Sequence, residues 1–415
     1  MINRKNLKIG LFGFGCVGKG LYDVLNLSKH PCAEIVRICV KDRQKKREFA
    51  NHLITFDKFD ILNDDKVNLV VELIDDSQEA FVITKAALLA GKSVVTANKK
   101  MIAEHFDELL ILQNRTGQAV LYEAAACASI PIIRNLEEYY DTDSLNRIEG
   151  IINGSTNYIL TRSVNEGLSY QDALKLAQDL GYAESDPSLD VDGHDAANKL
   201  SILSAHAFGR FIAPEDLPRT GISRIGSAEL KFARQNNWKI KLLARAYKTQ
   251  QGITAFVMPS FVDDDSSLFK VDDVFNGVQT ETVFADKQFF SGRGAGAFPT
   301  ASAVLSDISA LSYDYKYEYK KLQQGKDLAL VDEVIPIYLR TNLSEEALYK
   351  DRFESVFEVF KSGNRLHICG QAKLKTIFTW IESDSHVSVV HLPDSYVEFN
   401  LNALSLTEIE NLNIT

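Results

Sequence analysis

The sequence is poor in cysteine, in long apolar runs and in excess positive charge. Its five cysteines are Cys16, Cys32, Cys39, Cys127 and Cys369. The number is odd and no pair has CxxC spacing, so neither a disulfide framework nor a zinc ribbon is indicated. A reducing cytoplasm suits such usage. No apolar run approaches the ~20 residues of a membrane span. The start, Met1-Ile2-Asn3-Arg4-Lys5, lacks the apolar core of a secretory signal. Lysine and arginine total 46 against 56 acidic residues, a net charge of −10. That balance argues against nucleic acid or an anionic membrane as main partner. Internal repeats and low-complexity stretches are absent too. What remains is ordinary globular composition, 45% hydrophobic and 25% charged. At roughly 100–200 residues per domain, 415 residues predict two to three domains.

The first third alternates strand and helix patterns. Leu7–Phe12, Glu34–Val40, Val67–Ile74, Ser93–Ala97 and Ala119–Glu123 read as buried strands. Val17–Leu27 and Ser77–Ala90 have helical spacing. Continuous apolar strands separated by helices predict an α/β, Rossmann-type parallel sheet covered on both faces. After about residue 135 the pattern becomes α+β. Strands are expected at Leu145–Ile152, Lys239–Tyr247, Ile253–Pro259, Glu281–Phe284 and Lys287–Phe290. Helices are expected at Asn157–Asn165, Tyr170–Leu180, Ala196–Phe208 and Ala301–Leu311. The tail, rich in Tyr, Phe and Glu, reads as a small α+β C-terminal extension of regulatory-like type, with a strand at Val334–Leu339 and a helix at Phe353–Phe360.

Gly13-Phe14-Gly15-Cys16-Val17-Gly18 follows a strand and opens a helix. A pyrophosphate needs close backbone approach and the N–H groups of a helix N-terminus, and Gly13, Gly15 and Gly18 supply both. A tight turn that uses glycine only for geometry is the plainer reading. The second strand ends in Lys41-Asp42-Arg43, with Lys45, Lys46 and Arg47 behind. Cations here suit a 2′-phosphate, which favours NADP, while Asp42 keeps NAD open.

Gly181-Tyr182-Ala183-Glu184-Ser185-Asp186-Pro187 leads to Asp190, Asp192, Asp195 and Lys199. Asp195 and Lys199 are four apart and share a face of an otherwise apolar helix. Buried charges need partners or a ligand, and a zwitterionic amino acid would supply them. An exposed i,i+4 pair is the alternative. Lys99 follows a strand tip, where ligands dock in open α/β sheets. Alone it would pass for a surface lysine. His194 and His206 read as packing or capping residues.

Four blocks, in order, resemble homoserine dehydrogenase over residues 7 to about 310. They are Val95–Lys99, Gly150-Ile151-Ile152-Asn153-Gly154-Ser155-Thr156-Asn157-Tyr158-Ile159-Leu160, Gly181–Lys199, and Gly292-Arg293-Gly294-Ala295-Gly296-Ala297-Phe298-Pro299-Thr300-Ala301-Ser302-Ala303-Val304. The resemblance implies catalytic roles for Lys199 and Lys99, and substrate contacts from Glu184, Asp190 and Asp195. It places Gly13, Gly15, Val17, Gly18, Lys41, Thr96, Lys99, Gly181 and Gly294 at the cofactor. Tyr122–Pro131 resembles the family's sodium loop, with Glu123, Ala126, Ala128 and Ile130 as ligands; an ordinary strand-to-helix turn is the alternative. The implied domains are 1–135 with a return near 300–325 (NADP-binding), 136–300 (catalytic and dimerisation) and 330–415 (extension). A homodimer or higher homo-oligomer, a small amino-acid substrate and threonine, methionine and isoleucine biosynthesis are implied as well.

Three departures stand out. Asp75 and Asp76 replace a usual glycine pair near the cofactor, and could repel a pyrophosphate. Ala128-Ser129 replaces a commoner glycine-rich pair. The tail lacks the Pro-Gly start of an amino-acid-sensing domain, so threonine feedback is not expected. Two other readings stay open: another NAD(P)-dependent enzyme of amino-acid metabolism, or a degenerate homologue that binds dinucleotide without turnover. An aspartokinase fusion is disfavoured by a start at the dehydrogenase segment.

Overall fold

The computed structural model describes residues 4–28, 32–45, 51–141, 143–325, 328–342 and 352–398. Lys46 and Arg47, part of the expected basic turn, lie outside the described residues.

Strands of two to seven mostly apolar residues form the first sheet. β1 (Leu7–Phe12), β2 (Ala33–Cys39), β3 (Ile54–Thr55), β4 (Leu69–Glu72), β5 (Ser93–Thr96) and β6 (Val120–Leu121) are all parallel, in the order β3-β2-β1-β4-β5-β6. β4 is buried at every position because helices cover both faces. The order reverses between β1 and β4, the switch point at which such sheets take ligands. Helix Cys16–Ser28 leaves the tip of β1 and packs against helix Ala297–Leu311, which returns from far along the chain. Gly20 allows that approach: a Cβ there would stand 2.8 Å from the Ala297 carbonyl oxygen.

A second sheet holds nine strands in the order β11-β10-β7-β8-β9-β15-β12-β14-β13. These are β7 (Leu145–Ile151), β8 (Lys239–Thr249), β9 (Gly252–Val262), β10 (Phe275–Thr282), β11 (Lys287–Arg293), β12 (Val334–Asn342), β13 (Ser355–Ser362), β14 (Arg365–Lys373) and β15 (Ser388–His391). The C-terminal strands therefore extend the same sheet, joined where His391 of β15 pairs with Ser260 of β9. Arg224 fastens the extension, donating to the carbonyls of Ile381, Asp384 and Val387.

The helix expected at Phe353–Phe360 is instead strand β13, paired antiparallel with β14 through a turn at Gly363 (φ 59°). Val356, Phe357, Val359 and Phe360 are β-branched or aromatic, and such residues favour a pleated surface over a helix. The strand expected at Glu281–Phe284 ends at Thr282 and begins earlier, at Phe275.

Helix His194–Phe208 lies between the two sheets. It touches helix Lys99–Glu104 on one side and β7, β8 and β9 on the other. Only His194 and Asn198 along it escape full burial. Its apolar surface all round follows from this sandwiched position.

Candidate active site

The phosphate cradle is built at the tip of β1. Gly13 has φ 89°, and a Cβ there would approach the Leu73 carbonyl oxygen to 2.5 Å. A Cβ on Gly18 would overlap the Gly13 carbonyl. A Cβ on Gly15, by contrast, would meet nothing within 4 Å. The first and third glycines hold the turn, and the middle one leaves backbone open at a helix N-terminus that includes Val17. That arrangement fits a dinucleotide pyrophosphate.

Lys41 is exposed beyond β2. Asp42 accepts from the Gln44 and Lys45 amides at 2.8 and 3.2 Å, so its carboxylate organises the turn. The Arg43 guanidinium stands 4.8 Å from the Phe56 ring centre. The doubt over Asp76 finds a structural answer: its carboxylate caps helix Ser77–Leu89, accepting from Gln78 and Glu79 at 3.0 Å each. Asp75 stays exposed at the switch point.

At the tip of β5, Thr96 is fully buried and donates to Glu72 at 2.6 Å. Its side chain is thus committed, leaving its backbone to meet a cofactor. Glu72 also accepts from the Ile74 amide at 2.6 Å. Thr96 Oγ1 in turn accepts from the Asn98 amide, and Asn98 caps the helix that begins with Lys99. Burial pushes the Glu72 carboxyl up to about 7, aided by Asp75 and opposed by the bonds from Thr96 and Ile74.

Lys99 and Lys199, 100 positions apart in sequence, converge on Asp195. Lys99 Nζ lies 3.0 Å from Asp195 Oδ1, and Lys199 Nζ lies 2.8 Å from Oδ2. Lys199 also donates to the Ile152 carbonyl at 2.7 Å. Burial alone would raise the Asp195 carboxyl, but Lys199 and Lys99 outweigh it and hold the group well below the usual carboxylate range. Asp195 in return holds Lys99 above its ordinary value, against the effect of burial.

Asn153 completes the cluster, and sequence reasoning missed it. Its Nδ2 donates to Asp195 at 2.9 Å and to Asp190 at 2.6 Å, while its Oδ1 caps helix Gly154–Glu166. The Asn-Gly-Ser-Thr signature advertises a cap, and that role hides the other. Gly181 has φ 74°, and a Cβ there would meet nothing within 4 Å. The next residues form a loop tied down by Ser155 Oγ, which donates to the Tyr182 carbonyl at 2.6 Å. Glu184 is exposed on this loop, and no described contact joins its carboxylate to the lysines. His206 is a buried network residue: its Nε2 lies 2.9 Å from Tyr122 Oη and its Nδ1 2.6 Å from Glu137.

Beside the cluster, the Glu123 carboxylate accepts from the Ile133 and Arg134 amides at 2.8 and 2.9 Å. Ala128 has φ 45° and ψ −105°, which takes it out of the regular turn. Among the described residues no His, Cys, Asp and Glu group could hold a metal by side chains. The backbone carbonyls of Ala126, Ala128 and Ile130 are hard donors of a kind suited to an alkali cation, and that of Ile130 already accepts from the Ile132 amide at 2.9 Å. Gly294 lies between β11 and helix Ala297–Leu311, whose first residue packs on Gly20 of the glycine-loop helix. Among the described residues no helix is long and apolar enough to cross a membrane.

Two family models match. Homoserine dehydrogenase, NAD binding domain, matches residues 13–123, and Homoserine dehydrogenase matches residues 131–309. The chain is 35% identical over 316 residues to the homoserine dehydrogenase of Bacillus subtilis, covering 74% of this chain and 73% of that protein. It is 38% identical over 313 residues to that of Corynebacterium glutamicum, covering 72% and 70%. The crystal structure of a homoserine dehydrogenase from Thiobacillus denitrificans superposes with TM-score 0.86 at 30% identity, over 95% of this chain and all of that one. A hyperthermophilic archaeal homoserine dehydrogenase in complex with NADPH superposes with TM-score 0.65 at 28% identity, over 75% and 99%. By sequence over most of its length and by fold, the chain belongs to the homoserine dehydrogenase family of oxidoreductases.

Proposed function

We propose that the protein catalyses the reversible NAD(P)H-dependent reduction of L-aspartate 4-semialdehyde to L-homoserine, with NADP preferred, in threonine, methionine and isoleucine biosynthesis. The observation that carries this reading is the meeting of Lys99 and Lys199 on Asp195 at the carboxyl ends of the first sheet. Gly13, Gly15, Val17, Gly18, Lys41, Thr96, Gly181 and Gly294 would hold the cofactor, which when bound supplies a hydride.

The protein's own task is to orient and to protonate. An ammonium has three N–H donors. Lys199 directs one to Ile152 and one to Asp195, which leaves a third for the substrate oxygen. As the aldehyde is reduced, that donor stabilises the developing alkoxide and delivers a proton. Lys99 adds a second positive charge at the same place. Glu184, Asp190 and Asp195 hold the substrate ammonium and so fix the reacting carbon.

Residues 1–135 with a return at about 300–325 serve as the nucleotide-binding domain. Residues 136–300 serve catalysis and dimerisation, and 330–415 form an extension. A sodium ion held by Glu123, Ala126, Ala128 and Ile130 would stiffen the loop beside Asp195. The cysteines, all free, suit a reducing cytoplasm, where the protein would act as a homodimer or higher homo-oligomer. The test is nicotinamide absorbance on adding aspartate 4-semialdehyde to the purified protein with NADPH or NADH. Faster loss with NADPH supports the reading, and no loss with either cofactor contradicts it.

A further inference from the structure

Asn276 stands on β10 directly opposite Gly292 of β11. It is fully buried. A methyl group on Gly294 would overlap the Asn276 carboxamide, so the amide lies against the Gly294 Cα on the side where a side chain would stand. Neither its Nδ2 nor its Oδ1 has a hydrogen-bond partner. Folded proteins rarely leave a buried amide unmet at both ends, and such a group calls for an explanation.

The position of this amide supplies one. The segment Gly292–Gly296 runs from the end of β11 into the N-terminus of helix Ala297–Leu311. That helix start packs on Gly20 of the glycine-loop helix. The segment is held at Arg293, whose carbonyl accepts from Ser129 Oγ at 2.9 Å. On the reading of Gly294 as a cofactor contact, this glycine separates a buried polar group from the dinucleotide, with no side chain of its own between them.

We propose that Asn276 is a positioning residue for the dinucleotide: as the cofactor seats on Gly294, the segment's backbone turns onto the Asn276 carboxamide and supplies its missing hydrogen bonds. The inference rests on the reading of Gly294 as a cofactor contact. It explains why position 294 is glycine in terms of two neighbours rather than one. Any larger residue would displace the amide and break the link between β10 and the bound nucleotide.

The test compares wild type with Asn276→Ala and with Asn276→Leu, which nearly keeps the shape and removes donor and acceptor without adding charge. Binding is read by NADPH fluorescence titration. Loop closure is read by trypsin cleavage after the exposed Arg293, with and without NADPH. The expected result is a ~10-fold weaker NADPH dissociation constant in both variants, with loss of the NADPH protection seen in wild type. KM for NADPH should rise, while kcat and the homoserine KM at saturating cofactor stay within about twofold. Should the alanine variant not fold, the leucine variant decides. Wild-type affinity and protection in the folded variants overturn the role of Asn276 and leave the cofactor reading intact. Wild-type protein that binds neither NADPH nor NADH overturns both.

Discussion

Asp195 Oδ1 lies 3.0 Å from Lys99 Nζ, so a helix between the sheets and the tip of β5 share one buried carboxylate. Two parts of the chain remote in sequence are locked in register by that contact. Asp195→Ala leaves Lys199 buried without its counter-ion. The expected destabilisation is about 2–4 kcal/mol, read by urea unfolding near neutral pH. The sign with pH follows from the lowered carboxyl. Its contribution is present in full above the unfolded value of ~3.9 and is lost as pH falls towards its folded value. The gap between variant and wild type should therefore close in acid.

Asn153 holds Asp190 and Asp195 with one amide nitrogen while its oxygen caps a helix. Asn153→Ala should cost about 1 kcal/mol of stability through the cap. It should also cost ~10–100-fold in kcat/KM, because two carboxylates lose their common anchor. Thermal unfolding and steady-state kinetics separate the two effects. Asn153→Asp keeps the cap acceptor but sets a third carboxylate against Asp190 and Asp195, so it should restore neither stability nor activity.

Glu72 is fully buried, and its carboxyl is pushed up to about 7 from an ordinary 4.5. The folded protein therefore binds this proton more tightly than the unfolded chain. Wild-type stability should fall as pH rises through that window, by up to about 3 kcal/mol, and level off above it. Glu72→Gln keeps an acceptor for Thr96 and Ile74 without the charge. Its Tm should exceed that of wild type at pH above 7, with the difference vanishing in acid. A wild-type profile parallel to that of the variant across the window would contradict this.

Much of the fold was legible because its signals are local. The first sheet's strands are unbroken apolar runs, and Gly13, Gly15 and Gly18 mark the switch point. Lys199 and Asp195 were visible as charges on an apolar helix. Asn153 was not, because a capping asparagine looks the same whether or not its amide also serves a site. Asn276 gave no signal at all, since its meaning depends on Gly294 lying over it. β13 was misread because Phe353–Phe360 alternates too weakly for its period to be seen without its partner β14.

Lys41 is exposed at the tip of the second strand, where the ribose phosphate of NADP would sit. Lys41→Ala should weaken NADPH binding about 10-fold and NADH binding less than about twofold. Raised salt should shrink the wild-type preference in the same direction. Equal losses for both cofactors would place the lysine elsewhere in recognition.

The most direct measurement is single-turnover reduction of aspartate 4-semialdehyde by Lys199→Ala, set beside its NADPH affinity. With the Ile152 carbonyl and Asp195 left in place, the ammonium is removed together with its methylene stem beyond Cβ. The account predicts a rate lower by ~10²–10⁴-fold, with cofactor binding and unfolding cooperativity retained. A folded alanine variant that reduces the semialdehyde at the wild-type rate would contradict it.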